Sequence, residues 1–205
     1  SCLEHLGEGL GRYRLSMPPL KLGGCGRAAE QSVRFIQGGK LIYLGILQAV
    51  AESVFEAAKR CADTLNLSQG CAVGVYTCRS IKSVQKPGVY AFFDSGAVYY
   101  VGEANNIARR LTREHCNAHI GGSEGVVRFL MHHLDQICAQ RDRWAPLRAR
   151  EREKAVKEIL KDIISRLNIF VIVCDALADA SGEKNKTRHL LERCIIEQLR
   201  PALNV

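Results

Sequence analysis

The most constraining stretch of this chain is residues 88–102. Val89-Tyr90-Ala91-Phe92-Phe93 and Val98-Tyr99-Tyr100-Val101 flank the turn-forming Asp94-Ser95-Gly96-Ala97 and read as a β-hairpin. Side chains alternate between the two faces of a strand. Here both faces are apolar or aromatic, so both must be covered by other elements. Ile169 to Cys174 reads as a further short buried strand. The remaining periodic segments are helical, and the chain is therefore expected to be α/β: a small, mostly antiparallel sheet of about three strands flanked by helices, with an N-terminal helical extension.

The helices follow from apolar spacing. Ile46, Val50, Val54, Ala57, Ala58, Cys61 and Leu65 form one stripe, predicting a helix over 41–66. Asn105 or Asn106 can cap a helix running to about Cys116, and Ser123 can cap the next. Ala145 to Leu167 gives a third, and Thr187 to Leu199 a last one stopped by Pro201. Residues 71–84 are ambiguous, with a short strand as one reading. Residues 1–40 contain eight glycines and Pro18-Pro19, which predicts a glycine-rich arm. The expected organisation is that arm at 1–40, a helical extension at 41–85, and a third region at 86–205 with an inserted helical block at about 121–167.

Lys plus Arg is 29 and Asp plus Glu is 21, a net charge of +8, which favours a polyanionic partner such as nucleic acid. No apolar run approaches the ~20 residues of a membrane helix. No secretory leader is visible in the sequence, so a cytoplasmic location (nuclear in a eukaryote) is expected rather than secretion. Nine cysteines without a CxxC pair predict mostly free, buried thiols rather than a disulfide framework.

The hairpin, the helix after it and the last helix carry a pattern of five elements. Gly88-Val89-Tyr90 is followed, ten residues from tyrosine to tyrosine, by Tyr100-Val101-Gly102; Arg110 comes eight positions later; Glu192 and Asn204 lie near the C-terminus, twelve positions apart. Together these resemble the GIY-YIG nuclease family, with a close local match to the nuclease domain of the bacterial excision-repair incision subunit and similarity to stand-alone restriction-type members. The resemblance covers 86–117 and 187–205. It implies a GIY-YIG-like fold and metal-dependent hydrolysis of DNA phosphodiesters, with Tyr90, Tyr100, Arg110, His115, Glu192 and Asn204 as site residues. Glu192 would hold one Mg²⁺ (or Mn²⁺). Restriction-type members also imply DNA as substrate and a homodimer as assembly.

The residue types suit that chemistry. A hard cation takes a carboxylate plus waters. A guanidinium forks two hydrogen bonds onto a phosphate. A phenol can take a proton from water if its pKa is lowered by a cation. In this scheme Tyr90 activates water, Tyr100 and Arg110 engage phosphate, and Asn204 orients the group. Sharing one site requires both tyrosines on one strand face, which predicts an odd-length loop or a bulge with Gly96 at positive φ.

Two departures stand out. Glu103 follows the second motif where the repair subunit has lysine. Glu114 fills the position where many members have His or Tyr, and His115 comes one residue later. One residue is a 100° rotation, so His115 reaches the site only if the helix is distorted. Arg109, Arg113, Arg148 and Arg150 are candidate DNA contacts. His115, Cys116, His119, His132, His133 and Cys138 are zinc-type ligands, but their spacing matches no standard finger. Two alternatives to a restriction-type enzyme are a structure-specific repair or recombination nickase and a nucleic-acid-binding module without turnover.

Overall fold

The computed structural model describes residues 45–67, 70–179 and 185–204. The expected glycine-rich arm at 1–40 lies outside them. The strands are β1 (Cys71–Tyr76), β2 (Gly88–Phe93), β3 (Val98–Ala104) and β4 (Asn168–Cys174); the helices are α1 (Gly45–Thr64), α2 (Ile107–Arg110), α3 (Glu124–His132), α4 (Leu134–Cys138), α5 (Ala149–Ser165) and α6 (Lys186–Leu199). The sheet has four strands in the order β1-β4-β2-β3, all neighbours antiparallel.

The fourth strand corrects the expectation of three. It comes from the ambiguous stretch, where Gly74 and a mixed burial pattern hide the period of an edge strand. The helical extension at 41–85 is likewise part of the body, because β1 is a strand of the sheet and Val54, Ala58 and Cys61 of α1 lie in one core with Leu191 and Ile195 of α6. Helix α1 ends where Asn66 turns left-handed (φ 55°) and the Leu67 N–H reaches the Ala62 carbonyl at 2.8 Å, an asparagine-capped C-terminus.

Each sheet face has its own apolar layer. Val89, Ala91, Phe93, Val101, Phe170 and Ile172 pack under α1 and α6. Tyr90, Phe92, Ile169 and Val171 pack on the other side with Ile107, Leu111, Phe129, Leu160 and Ile164, from α2, the turn after it, α3 and α5. The block at 121–167 is thus a covering layer of the sheet rather than an appendage.

The hairpin contains the expected irregularity. Phe92 pairs with Tyr100 and Phe93 with Val98, leaving Tyr99 as the extra residue of a bulge. Tyr100 therefore shares a face with Tyr90. Gly96, however, is not at positive φ; Gly70 is the one such glycine among the described residues. Asp94 closes the loop instead, its Oδ1 accepting from the Gly96 N–H at 2.7 Å and the Ala97 N–H at 3.1 Å.

The cysteines also depart from expectation. Of seven in the described residues, six are paired: Cys61–Cys194 joins α1 to α6, Cys71–Cys174 is a cross-strand pair of β1 and β4, and Cys78–Cys116 ties the loop after β1 to the turn after α2. Their sequence separations of 133, 103 and 38 residues explain why spacing along the chain concealed them. No helix among the described residues is long and apolar enough to cross a membrane.

Candidate active site

The hairpin's second glycine organises the cluster. A Cβ built at Gly102 would lie 2.6 Å from the Tyr90 hydroxyl and 2.9 Å from the Tyr100 ring. The bare backbone there lets both phenols close over the edge strand, their ring centroids 6.3 Å apart. Gly125, in the first turn of α3, plays the same part from the opposite wall: a Cβ there would sit 2.7 Å from His115 and 2.9 Å from Tyr100. The sequence reading had no signal for Gly125.

His115 reaches the site by the distortion it needed. After α2 the chain makes a π-turn over Leu111–His115, and the Cys116 N–H bonds the Leu111 carbonyl five residues back at 2.8 Å. The additional residue per turn rotates His115 inward and absorbs the one-residue offset. Its Nε2 lies 2.8 Å from the Tyr90 hydroxyl, and the residue is fully buried. Burial, aided by the Arg110 charge, drops its pKa to about 3, so the imidazole is neutral. Its Nδ1 is buried without a partner among the described residues.

Tyr90 is only 2% exposed. Burial pushes its phenol well above 10, with further upward pushes from Tyr100, Glu192 and Glu114 opposed by Arg110. Desolvation thus outweighs the Arg110 charge at this phenol. Burial also raises Tyr100; Glu192 adds to that, while Arg128 and Arg110 oppose it. Arg128 is a second unforeseen neighbour, its guanidinium anchored on the Leu203 carbonyl at 2.7 Å and on Glu124 Oε1 at 2.5 Å.

Arg110 is partly exposed and pairs with Glu114 at 2.6 Å. Glu114 is thus the partner of Arg110 one turn along the same segment. Glu192 projects from α6 with 16% of its side chain exposed, 3.2 Å from His189 Nδ1. Its charge bears on both phenols, so the distal carboxylate lies within electrostatic range of them. Burial and then the neighbouring Glu103 raise its pKa, against His189 and Arg188. Arg188, one turn earlier on α6, is buried against Glu103, Asp179 (2.8 Å) and the Leu177 carbonyl (2.8 Å).

Asn204 has a different task from the one expected. Its side chain donates to the Val101 carbonyl at 2.8 Å and accepts from the Val101 N–H at 2.7 Å. With Ala202 and Leu203 donating to Val98 and Tyr99, the last residues run along the outer edge of β3 and fix the strand that carries Tyr100. Arg109, Arg113, Arg148 and Arg150 are all exposed, and none joins the cluster. The zinc reading loses Cys116 to its disulfide.

Among the described residues no group of three or more His, Cys, Asp or Glu side chains could enclose a metal. One carboxylate is nevertheless a usual protein share for Mg²⁺, which keeps several waters and takes phosphate oxygens. Glu192 could supply that carboxylate: its side chain is 16% exposed and its one ion-pair partner among the described residues is the exposed His189. No family model, no curated protein and no solved structure matches this chain.

Proposed function

We propose that this protein is a metal-dependent endonuclease of the GIY-YIG type that hydrolyses DNA phosphodiesters, in the manner of stand-alone restriction-type members. The observation that carries the reading is that Tyr90 of β2 and Tyr100 of β3 share one strand face with ring centroids 6.3 Å apart, while Arg110 of α2 and Glu192 of α6 both act electrostatically on the pair. Arg110 and Tyr100, the more open groups, would take the phosphate. A cation on Glu192 would supply charge neutralisation for the phosphate. Tyr90 would accept the proton of the attacking water. Because its phenol is protonated at neutral pH, the rate should climb about tenfold per pH unit from 7 towards 10. His115, titrating at about 3, should add no limb in that range.

The test is nicking of supercoiled plasmid with Mg²⁺ or Mn²⁺. Cleavage that falls at least ~10²–10³-fold in Glu192→Ala and in Tyr90→Phe supports the reading. Cleavage equal in all three proteins, or none with any metal, overturns it. A second reading, a binding module without turnover, is favoured by the closure of Tyr90 from solvent and by the Arg110–Glu114 pair. Tight DNA binding without cutting under every metal selects it.

A further inference from the structure

The covering helices hold a second chemical surface that the tyrosine cluster does not use. The end of α4, the connection after it and the start of α5 border an open surface cavity of about 600 Å³ lined by Cys138, Arg141, Trp144, Ala145 and Arg152. That volume is in the roughly 300–1,000 Å³ range of small-ligand sites. The lining has one indole, two guanidinium groups and no carboxylate.

Both large groups of the wall are fixed in advance. The Trp144 indole N–H donates to the Ile137 carbonyl at 3.0 Å. Arg152 Nη2 donates to the carbonyls of Ala145 and Leu147 at 2.8 and 3.1 Å, leaving its other nitrogens to serve a ligand. Arg141 has no side-chain partner among the described residues. Residues 141–157 contain seven Lys or Arg against three Asp or Glu, a net +4. A flat aromatic surface beside two unneutralised guanidinium groups suits a ligand that is planar at one end and anionic at the other.

We propose that this cavity binds one nucleotide unit of single-stranded DNA, its base stacked on Trp144 and its phosphate met by Arg141 and Arg152. The inference rests on the nuclease reading only for the identity of the polymer, since the residues are separate from those of the cleavage site. It would give the enzyme a grip on an unpaired strand away from the bond to be cut.

Trp144 is the only tryptophan in the chain, so indole emission reports on this cavity alone. The experiment titrates the full chain, carrying Glu192→Ala and free of divalent metal, with a short oligothymidylate. Saturable quenching is expected. Arg141→Glu, at an exposed and unpartnered position, should weaken it about tenfold with an unchanged circular dichroism spectrum. Raising salt from about 50 to 200 mM should weaken it about 2.6-fold, for one phosphate. Thymidine monophosphate quenching as well as the oligomer, per nucleotide, would assign the same chemistry to a free nucleotide and overturn the strand. Quenching by duplex alone, quenching indifferent to Arg141→Glu, or oligomer binding seen by anisotropy without quenching would each overturn the proposal. Lost cleavage with quenching intact counts against the nuclease reading alone; lost quenching with cleavage intact counts against this inference alone.

Discussion

The two faces of the sheet are built on opposite principles. The face under α1 and α6 is dry apart from the paired Arg188, Glu103 and Asp179: Val54, Ala58, Leu191 and Ile195 meet Val89, Ala91 and Val101, and the Cys61–Cys194 bond joins the two helices. The face under α2, α3 and α5 buries a phenol and an imidazole that bond each other and leave one ring nitrogen without a partner among the described residues. An unsatisfied buried polar atom costs about 1–3 kcal/mol. A fold that keeps one on a single side marks that side as the place where packing has been subordinated to chemistry.

The largest break between the faces should come with acid. His115 titrates at about 3 in the folded chain and near 6.5 when unfolded. A depressed pKa means stability that is full above about pH 6.5 and is lost as pH falls towards 3. The loss is on the order of 5 kcal/mol, at about 1.4 kcal/mol per unit. Urea unfolding of the wild type and of His115→Leu at a series of pH values measures it. The leucine variant should lose most of this acid sensitivity, and parallel curves would refute the assignment.

On the dry face the expected effect is smaller and independent of pH. Leu191→Ala should cost about 3 kcal/mol through the cavity it leaves, read as a lower urea midpoint with unchanged slope. A cost under about 1 kcal/mol would mean that α6 is not held by this contact.

Smaller again is Gly102→Ala, for which overpacking predicts about 2 kcal/mol. The displaced phenol should also move the Tyr90–His115 hydrogen bond, visible as a changed His115 ring resonance. An unshifted resonance with full stability would show that the edge strand yields at no cost.

The sequence made one of these faces more legible than the other. Alternating aromatics announced the hairpin, and the demand that Tyr90 and Tyr100 share a face led to the bulge, because a one-residue slip inverts every side chain of a strand. The turn itself was misjudged at Gly96, since an aspartate can close a loop by accepting from the backbone where a left-handed glycine was expected. The condition on His115 was readable as a distortion of the helix, but not as a π-turn. Strand β1 and two of the three cysteine pairs were invisible for a common reason: both are fixed by contacts with β4 or α6 roughly a hundred residues or more away, and local pattern carries no trace of such partners. Arg188 illustrates the same limit. Its partners, Glu103 and Asp179, are delivered by the tertiary fold and not by helical spacing.

The run of Ala202, Leu203 and Asn204 along β3 has a consequence for self-association. An outermost strand with free amides and carbonyls invites a stranger's strand to extend the ribbon. Here Val98, Tyr99 and Val101 already have their backbone groups engaged by the same chain. The Val98–Val101 stretch of the tyrosine-bearing border is therefore closed to an incoming strand, which shields it from amyloid-like stacking.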